Sequence, residues 1–556
     1  MKKLLVAILL YSMAVSLAAQ SSPKLKIPPA AVLDRSIPEL LESADIPGLS
    51  IAIIQDDRIV YERAFGLRSV DTGGPVTDQT IFSAASLSKA LFAYGLMKWV
   101  EQGRFDLDRP LHEYFPYDDL THDDRYQQLT ARQVLSHTTG LPNWRRGGQL
   151  NFVRDPGQSF GYSGEGFVYL MRVVEHLSGQ SINEFMEEQV FTPLGMDRSS
   201  YIWEQDFDSD FAIPHDQFKI TRTPPRPQEG NTAYSLQTTA VDYSKFLRAM
   251  LNAEGLKAGT VKDMLTSQVN VEDDGSVQWG LGVGLQTSPD GKAFWHWGDN
   301  GPFKAFFIAY PKQRIGLVYF ANSSNGLGIA RELLEHAIGG SYPSVNWIDY
   351  EGPNAPARKL LAHILNSEPS AADWPYMAAN GLHQDTQQIA QSPMNRLGYN
   401  LLNLHRPEAA LRVFAMNARA FPQSANVHDS YGEALLRKGD LAGAAAAYER
   451  AARLDPENST AKTIVYQIRE GNKKGNTTFR LPAYPNARSV QLVGSFNNWN
   501  SLSHPMSREN GQWIGRVDLE PGTYEYKFIV DGVWLADPWN PETHYEEGHR
   551  SVLKKE

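Results

Sequence analysis

A serine and a lysine three residues apart near residue 86 are the pair in this chain best suited to chemistry. Ser86 and Lys89 lie in the stretch IFSAASLSKALF, residues 81–92, where an apolar segment begins. Side chains three residues apart project from the same face of a helix. An amine held beside a hydroxyl can accept its proton, so the serine can act as a nucleophile without a histidine–aspartate pair.

The spacing alone does not identify a site, because the chain contains four such pairs. They are Ser21–Lys24, Ser86–Lys89, Ser459–Lys462 and Ser551–Lys554. Of these, Ser86 alone opens a long, mostly apolar helix, predicted from about Ser86 to Gln102 and ended by Gly103. A helix that is apolar all round is typical of a protein core. The context therefore favours a buried site at Ser86.

Composition restricts the chemistry that this site can use. The chain has 556 residues, enough for three or four domains, and a net charge of −10, which argues against nucleic acid or an anionic membrane as the main partner. It has no cysteine, which excludes disulfides, zinc–thiolate sites and thiol catalysis. The cluster His122-Asp123-Asp124 lacks a third ligand for a metal. No cofactor and no metal are predicted.

The first residues have the pattern of a secretory signal peptide, assigned to 1–19. Lysines at positions 2 and 3 precede an apolar run from Leu4 to Leu17, and small residues follow at Ser16 to Ala19. The run is too short to span a membrane, although an uncleaved anchor is the alternative. Export to the periplasm or beyond the cell is expected, with no stable membrane insertion after cleavage.

Strand-like segments flank a mainly helical middle in residues 26–340. Apolar runs occur at Leu49–Ile54, Ala305–Tyr310 and Ile315–Phe320. Strands at both ends with helices between them predict an α/β (α+β) domain whose antiparallel sheet combines the two ends. Residues 341–385 are interpreted as a linker with some helix.

Residues 386–470 repeat with a period of 34. The related positions are Gly398 and Gly432, Phe414 and Tyr448, and Pro422 and Pro456. This period resembles tetratricopeptide repeats and predicts paired helices, with a capping helix at about Thr460 to Ile468. The repeats could serve as a spacer or bind a peptide.

Residues 476–556 have the alternation of β-strands. Tyr524, Tyr526, Phe528 and Val530 predict a half-buried strand, and Asp531-Gly532 predicts a hairpin turn. The spacing favours an all-β immunoglobulin-like sandwich.

This last segment resembles the family 48 glycogen- and starch-binding modules. The matching stretches are GSFNNW at 494–499, YKFIVDG at 526–532 and WLADP at 534–538. The resemblance implies that Trp499, Lys527 and Trp534 contact an α-glucan or another polysaccharide. Flat rings stack on sugar C–H faces and a lysine donates to hydroxyls. The segment 548–551 lacks the family's asparagine contact, so a purely structural module is the alternative.

Five stretches of residues 28–337 resemble, in order, the serine β-lactamase-like superfamily of class C β-lactamases, D,D-peptidases, D-aminopeptidases and related esterases. They are SLSK at 86–89, LSHTTGLP at 135–142, PGQSFGYSG at 156–164, FTPLGM at 191–196 and WHWGDNG at 295–301. His137, in the second stretch, is interpreted as structural support for the site wall.

The resemblance assigns a role to each matching position. Ser86 becomes the acylated nucleophile and Lys89 its proton partner. Tyr162 transfers protons to the leaving group, which requires the lysine's charge to help ionise the phenol. His296 stands where β-lactamases carry the lysine of their Lys-Thr-Gly motif. The backbone N–H groups of Ser86 and Asp299 form the oxyanion hole.

Two departures from the family pattern favour esters without a carboxylate as substrates, among them small acyl esters. The asparagine of the Tyr-x-Asn motif is Gly164 here, and His296 removes a cation that would bind a substrate carboxylate. The first hypothesis is therefore a secreted serine esterase, and the C-terminal module motivates glycan-linked esters among its substrates. The alternatives are a β-lactamase or D-amino-acid peptidase, and a non-catalytic glucan- or peptide-binding protein.

Overall fold

The computed structural model describes residues 25–145, 149–366, 391–404, 406–544 and 550–555. The predicted signal peptide, residues 1–19, lies outside these ranges, as do residues 367–385 of the predicted linker, residues 386–390 of the predicted repeats and Gly548-His549. The chain divides into two compact units between Pro353 and Asn354.

Within the described residues, the first unit is built on an eight-stranded antiparallel sheet with the order β2-β1-β10-β9-β8-β7-β6-β5. Strand β1 pairs with β10, with Ile51 opposite Tyr319, and this confirms the sheet predicted from the two ends of the domain. The strands, with the small β3–β4 ribbon, are β1 (Gly48–Gln55), β2 (Arg58–Gly66), β3 (Phe82–Ser83), β4 (Gln237–Thr238), β5 (Val269–Asn270), β6 (Val277–Trp279), β7 (Gly284–Ser288), β8 (Gly291–Asp299), β9 (Lys304–Tyr310) and β10 (Ile315–Ala321).

Helices cover both faces of this sheet, which explains why β9 and β10 are buried at every position. Ile51 and Leu317 face a core shared with Leu33 and Leu333, whereas the alternate residues face the larger helical region. The helices are α1 (Ala30–Ser43), α2 (Leu87–Glu101), α3 (Ala131–Leu135), α4 (Gly164–Ser178), α5 (Ile182–Met186), α6 (Thr192–Leu194), α7 (Ala240–Asn252), α8 (Ala258–Met264), α9 (Ala330–Ile338) and α10 (Pro343–Ile348).

Helix α2 is the buried helix predicted to follow Ser86. Ser86 is its N-cap residue and Gln102 its C-cap residue, and the helix is buried on nearly every side. Other elements fix its first turn, because the Tyr243 hydroxyl donates to Leu87 O and the Tyr201 hydroxyl donates to Ser88 O. The first turn therefore has a rigid surround on which a site can be built.

The described part of the predicted linker, residues 341–366, contains two helices. Helix α10 belongs to the first unit, where Tyr342 and Ser344 are buried and Trp347 packs against Trp295. Helix α11 (Pro356–Asn366) opens the second unit. Among the described helices, none combines the length and apolarity needed to cross a membrane.

Paired helices follow in the second unit, as the 34-residue period predicts. They are α12 (Gln391–Asn403), α13 (Pro407–Ala420), α14 (Ala425–Lys438), α15 (Leu441–Leu454), α16 (Ser459–Tyr466) and α17 (Asn472–Lys474). The repeated glycines face the repeated aromatic rings: a Cβ on Gly398 would lie 2.5 Å from Phe414, and one on Gly432 would lie 2.8 Å from Tyr448. The period thus records a close helix contact. Helix α16 is the predicted capping helix.

The C-terminal segment is β-rich. Its strands are β11 (Thr477–Leu481), β12 (Val490–Gly494), β13 (Ser507–Glu509), β14 (Gln512–Val517), β15 (Gly522–Val530), β16 (Val533–Leu535), β17 (Thr543–His544) and β18 (Arg550–Lys555). Within the described residues they form a β11-β14-β13 sheet and a β12-β15-β18-β17 sheet, with β16 pairing β15. The predicted Asp531-Gly532 turn joins β15 to β16, with φ of 47° and 91°.

Candidate active site

Ser86 lies at the start of α2, directly after a residue in an unusual backbone conformation. Ala85 has φ of 48°, a region that residues with a Cβ rarely adopt and that is often found at functional sites. The Ser86 side chain makes no capping hydrogen bond to the helix, and its N–H donates to no acceptor in the described residues. Both groups are therefore available, at the positive end of the helix dipole.

Lys89 lies one turn further along the same helix and faces Ser86. Its Nζ is 3.2 Å from Ser86 Oγ and donates to Ala233 O at 2.7 Å. No carboxylate among the described residues forms an ion pair with Lys89, and the side chain is buried against the rings of Tyr162 and Phe167. Burial lowers the pKa of Lys89 to about 7, so a large fraction of the amine is neutral near neutral pH.

Tyr162, on the loop before α4, lies over the lysine, with Lys89 Nζ 4.9 Å from the centre of its ring. Its hydroxyl is buried and has no hydrogen-bond partner among the described residues. Burial raises the pKa of Tyr162 well above its usual value, and the nearby Ser86 side chain offsets only part of this effect. The expectation that the lysine's charge eases ionisation is not supported, because desolvation dominates and favours the protonated phenol.

His296, on β8, is neutral and has one free ring nitrogen. Its Nδ1 lies 2.7 Å from the carbonyl oxygen of Trp297, which can only accept, so Nδ1 carries the proton. Nε2 is then an acceptor, and it is buried without a partner in the described structure. Burial, assisted by the charge of Lys89, lowers the pKa of His296 to about 3. The position therefore offers an acceptor rather than a cation.

The end of β8 packs directly on the turn before Ser86. A Cβ on Gly298 would lie 2.5 Å from Ala84 O, so only glycine allows this approach. Asn300 N donates to Phe303 O, which makes Asp299 and Lys304 a non-hydrogen-bonded pair of the ladder. The Asp299 N–H consequently points away from β9. It is available, with the Ser86 N–H, as a second oxyanion donor.

The carboxylate of Asp299 has partners that the sequence did not indicate. Lys304 forms an ion pair with it, the Tyr350 hydroxyl donates to it, and Gly301 N donates to it at 2.8 Å. Burial lowers the pKa of Lys304, although the adjacent carboxylate acts in the opposite direction. These contacts hold the turn that presents the Asp299 N–H. Tyr350 falls in the segment interpreted as linker, so no local pattern marked it.

His137 supports the tyrosine, in agreement with its structural interpretation. Its Nδ1 accepts from Ser163 N at 3.0 Å, and its ring lies 4.2 Å from that of Tyr162. Burial and the charge of Lys89 hold the pKa of His137 well below its usual range. The residue therefore fixes the Tyr162 loop as a neutral imidazole.

An aromatic ring occupies the place of the missing asparagine. A Cβ built on Gly164 would lie 2.7 Å from the indole of Trp144. No local sequence pattern marks Trp144.

Asp123, from the cluster considered as a metal site, forms an ion pair with Arg125. In the described ranges, no group of three or more His, Cys, Asp or Glu side chains could hold a metal ion.

The predicted sugar-contacting residues share one face of the β12–β15 sheet. Lys527 and Ile529 are two residues apart on β15 and therefore lie on the same face, and Trp534 lies opposite Ile529 on β16. Arg550 covers the Trp499 ring at 5.0 Å and binds Glu525, two residues from Lys527. Trp534 also lines a cavity of about 190 Å³ whose opposite wall comes from the repeats, at Leu402, Pro407 and Arg437.

Comparison with protein families agrees with this geometry. The family described as "Beta-lactamase" matches residues 33–339, more than half of the chain. The chain belongs to the beta-lactamase family. "Tetratricopeptide repeat" matches residues 425–458, and "Glycogen recognition site of AMP-activated protein kinase" matches residues 477–553. The three predicted resemblances are confirmed.

Relatives within the beta-lactamase family are distant. "Protein flp" of Staphylococcus aureus (strain N315) is 22% identical over 329 residues, which cover 55% of this chain and 65% of flp. "Penicillin-binding protein 4*" of Bacillus subtilis (strain 168) is 23% identical over 342 residues, which cover 54% of this chain and 73% of that protein. The match thus spans less than two thirds of the flp sequence.

The solved structures show the same fold. The octameric penicillin-binding protein homologue from Pyrococcus abyssi superimposes with a TM-score of 0.50 at 24% identity, over 61% of this chain and 82% of that one. At this identity the likeness concerns the fold of the hydrolase-type domain.

Proposed function

We propose that the protein is a serine hydrolase that cleaves esters through an acyl-enzyme at Ser86. The observation that carries the proposal is the buried Lys89 amine, 3.2 Å from Ser86 Oγ and with a pKa of about 7. A neutral amine at that distance can accept the serine proton. Membership of the beta-lactamase family supports the same reaction class.

Acylation follows from the positions of these groups. Neutral Lys89 takes the proton of Ser86 as Oγ attacks the ester carbonyl. The resulting oxyanion accepts from the N–H groups of Ser86 and Asp299. Tyr162, which burial keeps protonated, donates its proton to the leaving alkoxide as the carbonyl re-forms, and recovers a proton from the Lys89 ammonium.

Deacylation uses the same groups in reverse. Neutral Lys89, acting directly or through Tyr162, removes a proton from water, and the hydroxide attacks the acyl carbonyl. The Ser86–acyl bond breaks, and Ser86 recovers a proton from the Lys89 ammonium. The free Nε2 of His296 can accept from a substrate hydroxyl or from the water. Each cycle consumes one water and returns every group to its starting state.

Charge at the site favours esters over carboxylate-bearing substrates. His296 is neutral, and the ammonium of Lys304 is bound to Asp299. Gly164 has no side-chain amide to hold a peptide or penicillin side chain. A substrate carboxylate would lose its hydration without gaining a free cation. An ester without a carboxylate bears no such cost.

Turnover of short-chain p-nitrophenyl esters tests the proposal. We expect Ser86→Ala to abolish turnover, and Ser459→Ala, in the second Ser-x-x-Lys pair of the described structure, to leave it unchanged. Intact-mass spectrometry should show an acyl adduct in the wild type that the Ser86→Ala variant lacks. Equal activity in the wild type and Ser86→Ala would contradict the proposal.

Hydrolysis of β-lactams or D-amino-acid peptides is the second candidate, favoured by similarity to proteins named for penicillin binding. A fluorescent penicillin and nitrocefin address it directly. Labelling of Ser86 with rapid nitrocefin turnover would favour this activity over the esterase. Neither labelling nor turnover is expected.

We further propose that residues 476–556 form an immunoglobulin-like sandwich that binds an α-glucan. The glycogen-recognition match and the shared face of Lys527 and Trp534 support this role. Glucan pull-down should be lost in a Trp499→Ala, Trp534→Ala double variant. Binding to glucan combined with no reaction of Ser86 with a fluorophosphonate would instead favour the non-catalytic alternative. Export remains part of the proposal and rests on residues 1–19.

A further inference from the structure

Two exposed aromatic rings lie together beside the nucleophile. Trp144 is 43% exposed and Tyr234 is 40% exposed, and their ring centres are 5.7 Å apart with the planes nearly perpendicular. Large aromatic side chains are mostly buried in soluble proteins, so an exposed pair of this kind beside the catalytic groups indicates a binding role.

Contacts on both sides of Trp144 fix its position. The carbonyl and side-chain oxygens of Asn143 accept from Gly164 N, each at 3.0 Å. The Arg145 guanidinium binds Glu165 and Asp119. The indole therefore lies over Gly164 with its neighbours held, and the guanidinium beside it is already paired.

Tyr234 is equally close to the catalytic groups. The preceding carbonyl, Ala233 O, accepts from Lys89 Nζ. The Tyr234 carbonyl accepts from Asn300 Nδ2 at 3.1 Å, next to the residue that presents the second oxyanion donor. The aromatic pair thus spans the gap between the Tyr162 loop and the oxyanion turn.

We propose that Trp144 and Tyr234 form a subsite for a flat, uncharged ring of the ester substrate, a proposal that rests on the ester hydrolysis above. Gly164 creates the space and the indole fills it with an apolar surface, where an amide would select hydrogen-bonding groups. Aromatic faces favour flat rings, which stack more closely than puckered saturated rings of similar size. The ring belongs either to the acyl group or to the alcohol.

Two pairs of esters distinguish these sources. For the acyl arm, the pair is p-nitrophenyl phenylacetate and p-nitrophenyl cyclohexylacetate; for the alcohol arm, benzyl acetate and cyclohexylmethyl acetate. We expect kcat/KM to favour the flat ring about three- to tenfold in one arm. In Trp144→Leu, which retains an apolar side chain over Gly164, the ratio should fall to about one, and Tyr234→Ala should also lower it.

A matched control and a binding measurement complete the test. Trp539→Ala removes another exposed tryptophan, 55% exposed and in the second unit, and should leave the ratio unchanged. Saturation-transfer NMR of benzyl phenylacetate on Ser86→Ala should show contact with its ring protons, and Trp144→Leu should abolish it. This binding readout requires no turnover, so failure of the esterase proposal remains distinguishable. A ratio near one in both arms with no NMR contact, or a preference that survives both substitutions, would overturn the subsite.

Discussion

Two Ser-x-x-Lys pairs stand at helix starts in the described structure, one at Ser86–Lys89 and the other at Ser459–Lys462. In the first, Lys89 is buried and its Nζ lies 3.2 Å from the serine hydroxyl. In the second, at the start of α16 in the helical repeats, both side chains are exposed to solvent. The same spacing on the same kind of helix therefore exists in two opposite environments.

The use of the local polar groups differs as well. In α16 the helix is capped by Asn458, whose side-chain oxygen accepts from Ala461 N at 2.8 Å. In α2 the Ser86 side chain makes no capping bond. Spacing makes a serine and a lysine neighbours. Ser86 occupies the N-cap position of its helix without a capping bond, whereas Ser459 lies inside its helix. Burial lowers the pKa of Lys89, and this burial separates a nucleophile from surface residues.

Replacing the lysine of each pair should give the largest difference in activity between the two pairs. We expect Lys89→Met to lower kcat/KM for p-nitrophenyl acetate about a thousandfold, because the serine loses its proton acceptor. Lys462→Met should leave kcat/KM within about twofold, as expected for an exposed residue that belongs to the second unit. Steady-state kinetics of both variants provide the measurement. Equal losses in the two, or none in either, would remove burial from the explanation.

Removing the hydroxyl of the tyrosine near each pair should likewise lower activity only at the first pair. Tyr162→Phe keeps the ring that packs on His137 and removes the buried hydroxyl, so kcat should fall about a hundredfold while the protein remains folded. Tyr466→Phe, at a half-exposed position of α16, is the control and should have no effect. Stopped-flow separation of acylation from deacylation would show which step slows. An unchanged kcat in Tyr162→Phe would exclude the phenol from proton transfer.

The pH dependence of activity reports on the buried amine. Because the neutral form of Lys89 is the active one and its pKa is about 7, kcat/KM should rise about tenfold per pH unit below that value and level off above it. His296, with its pKa of about 3, stays neutral through this range. The inflection should vanish in the residual activity of Lys89→Met. A flat profile between pH 5 and 9 in the wild type would contradict a titrating lysine.

Replacing Lys89 by methionine should change stability in the opposite direction to activity. The folded-state pKa of Lys89, about 7, lies below the unfolded value of 10.5, so the unfolded chain binds the proton more tightly between these values. The free energy of unfolding therefore decreases as the pH falls from about 10 to 7 and then stays low. Lys89→Met removes the cost of burying the amine. It should raise the free energy of unfolding at pH 7 by roughly 1–3 kcal/mol, and the melting temperature with it. Thermal unfolding at pH 7 and pH 10 tests this, with a larger gain expected at pH 7.

The sequence predicted those features that depend on order and alternation. Apolar runs at both ends of the first domain predicted one sheet that combines them, and the 34-residue period predicted paired helices. The ordered motifs predicted that Ser86, Lys89, Tyr162 and His296 belong to one site, and the structure brings these side chains together.

Other features depend on the path of loops between distant positions. No local pattern indicates that Trp144 covers Gly164, or that Tyr350 reaches Asp299 from the segment interpreted as linker. The ionisation of Tyr162 was also misjudged from the sequence. Its motif indicates a nearby lysine, but the degree of burial that raises the phenol pKa is a property of the packed site.

The smallest effect expected concerns the cap of α16, and it tests whether Ser459 has any role at all. Asn458→Ala should destabilise the second unit by about 1 kcal/mol, because Ala461 N loses its side-chain acceptor. Ser459→Ala should change stability by at most about 0.5 kcal/mol, since the residue is already helical and alanine has the higher helix propensity. Urea unfolding of both variants separates the two values. A large loss of unfolding free energy in Ser459→Ala would show that this serine has a structural role. The two pairs would then differ in that one serine is catalytic and the other structural.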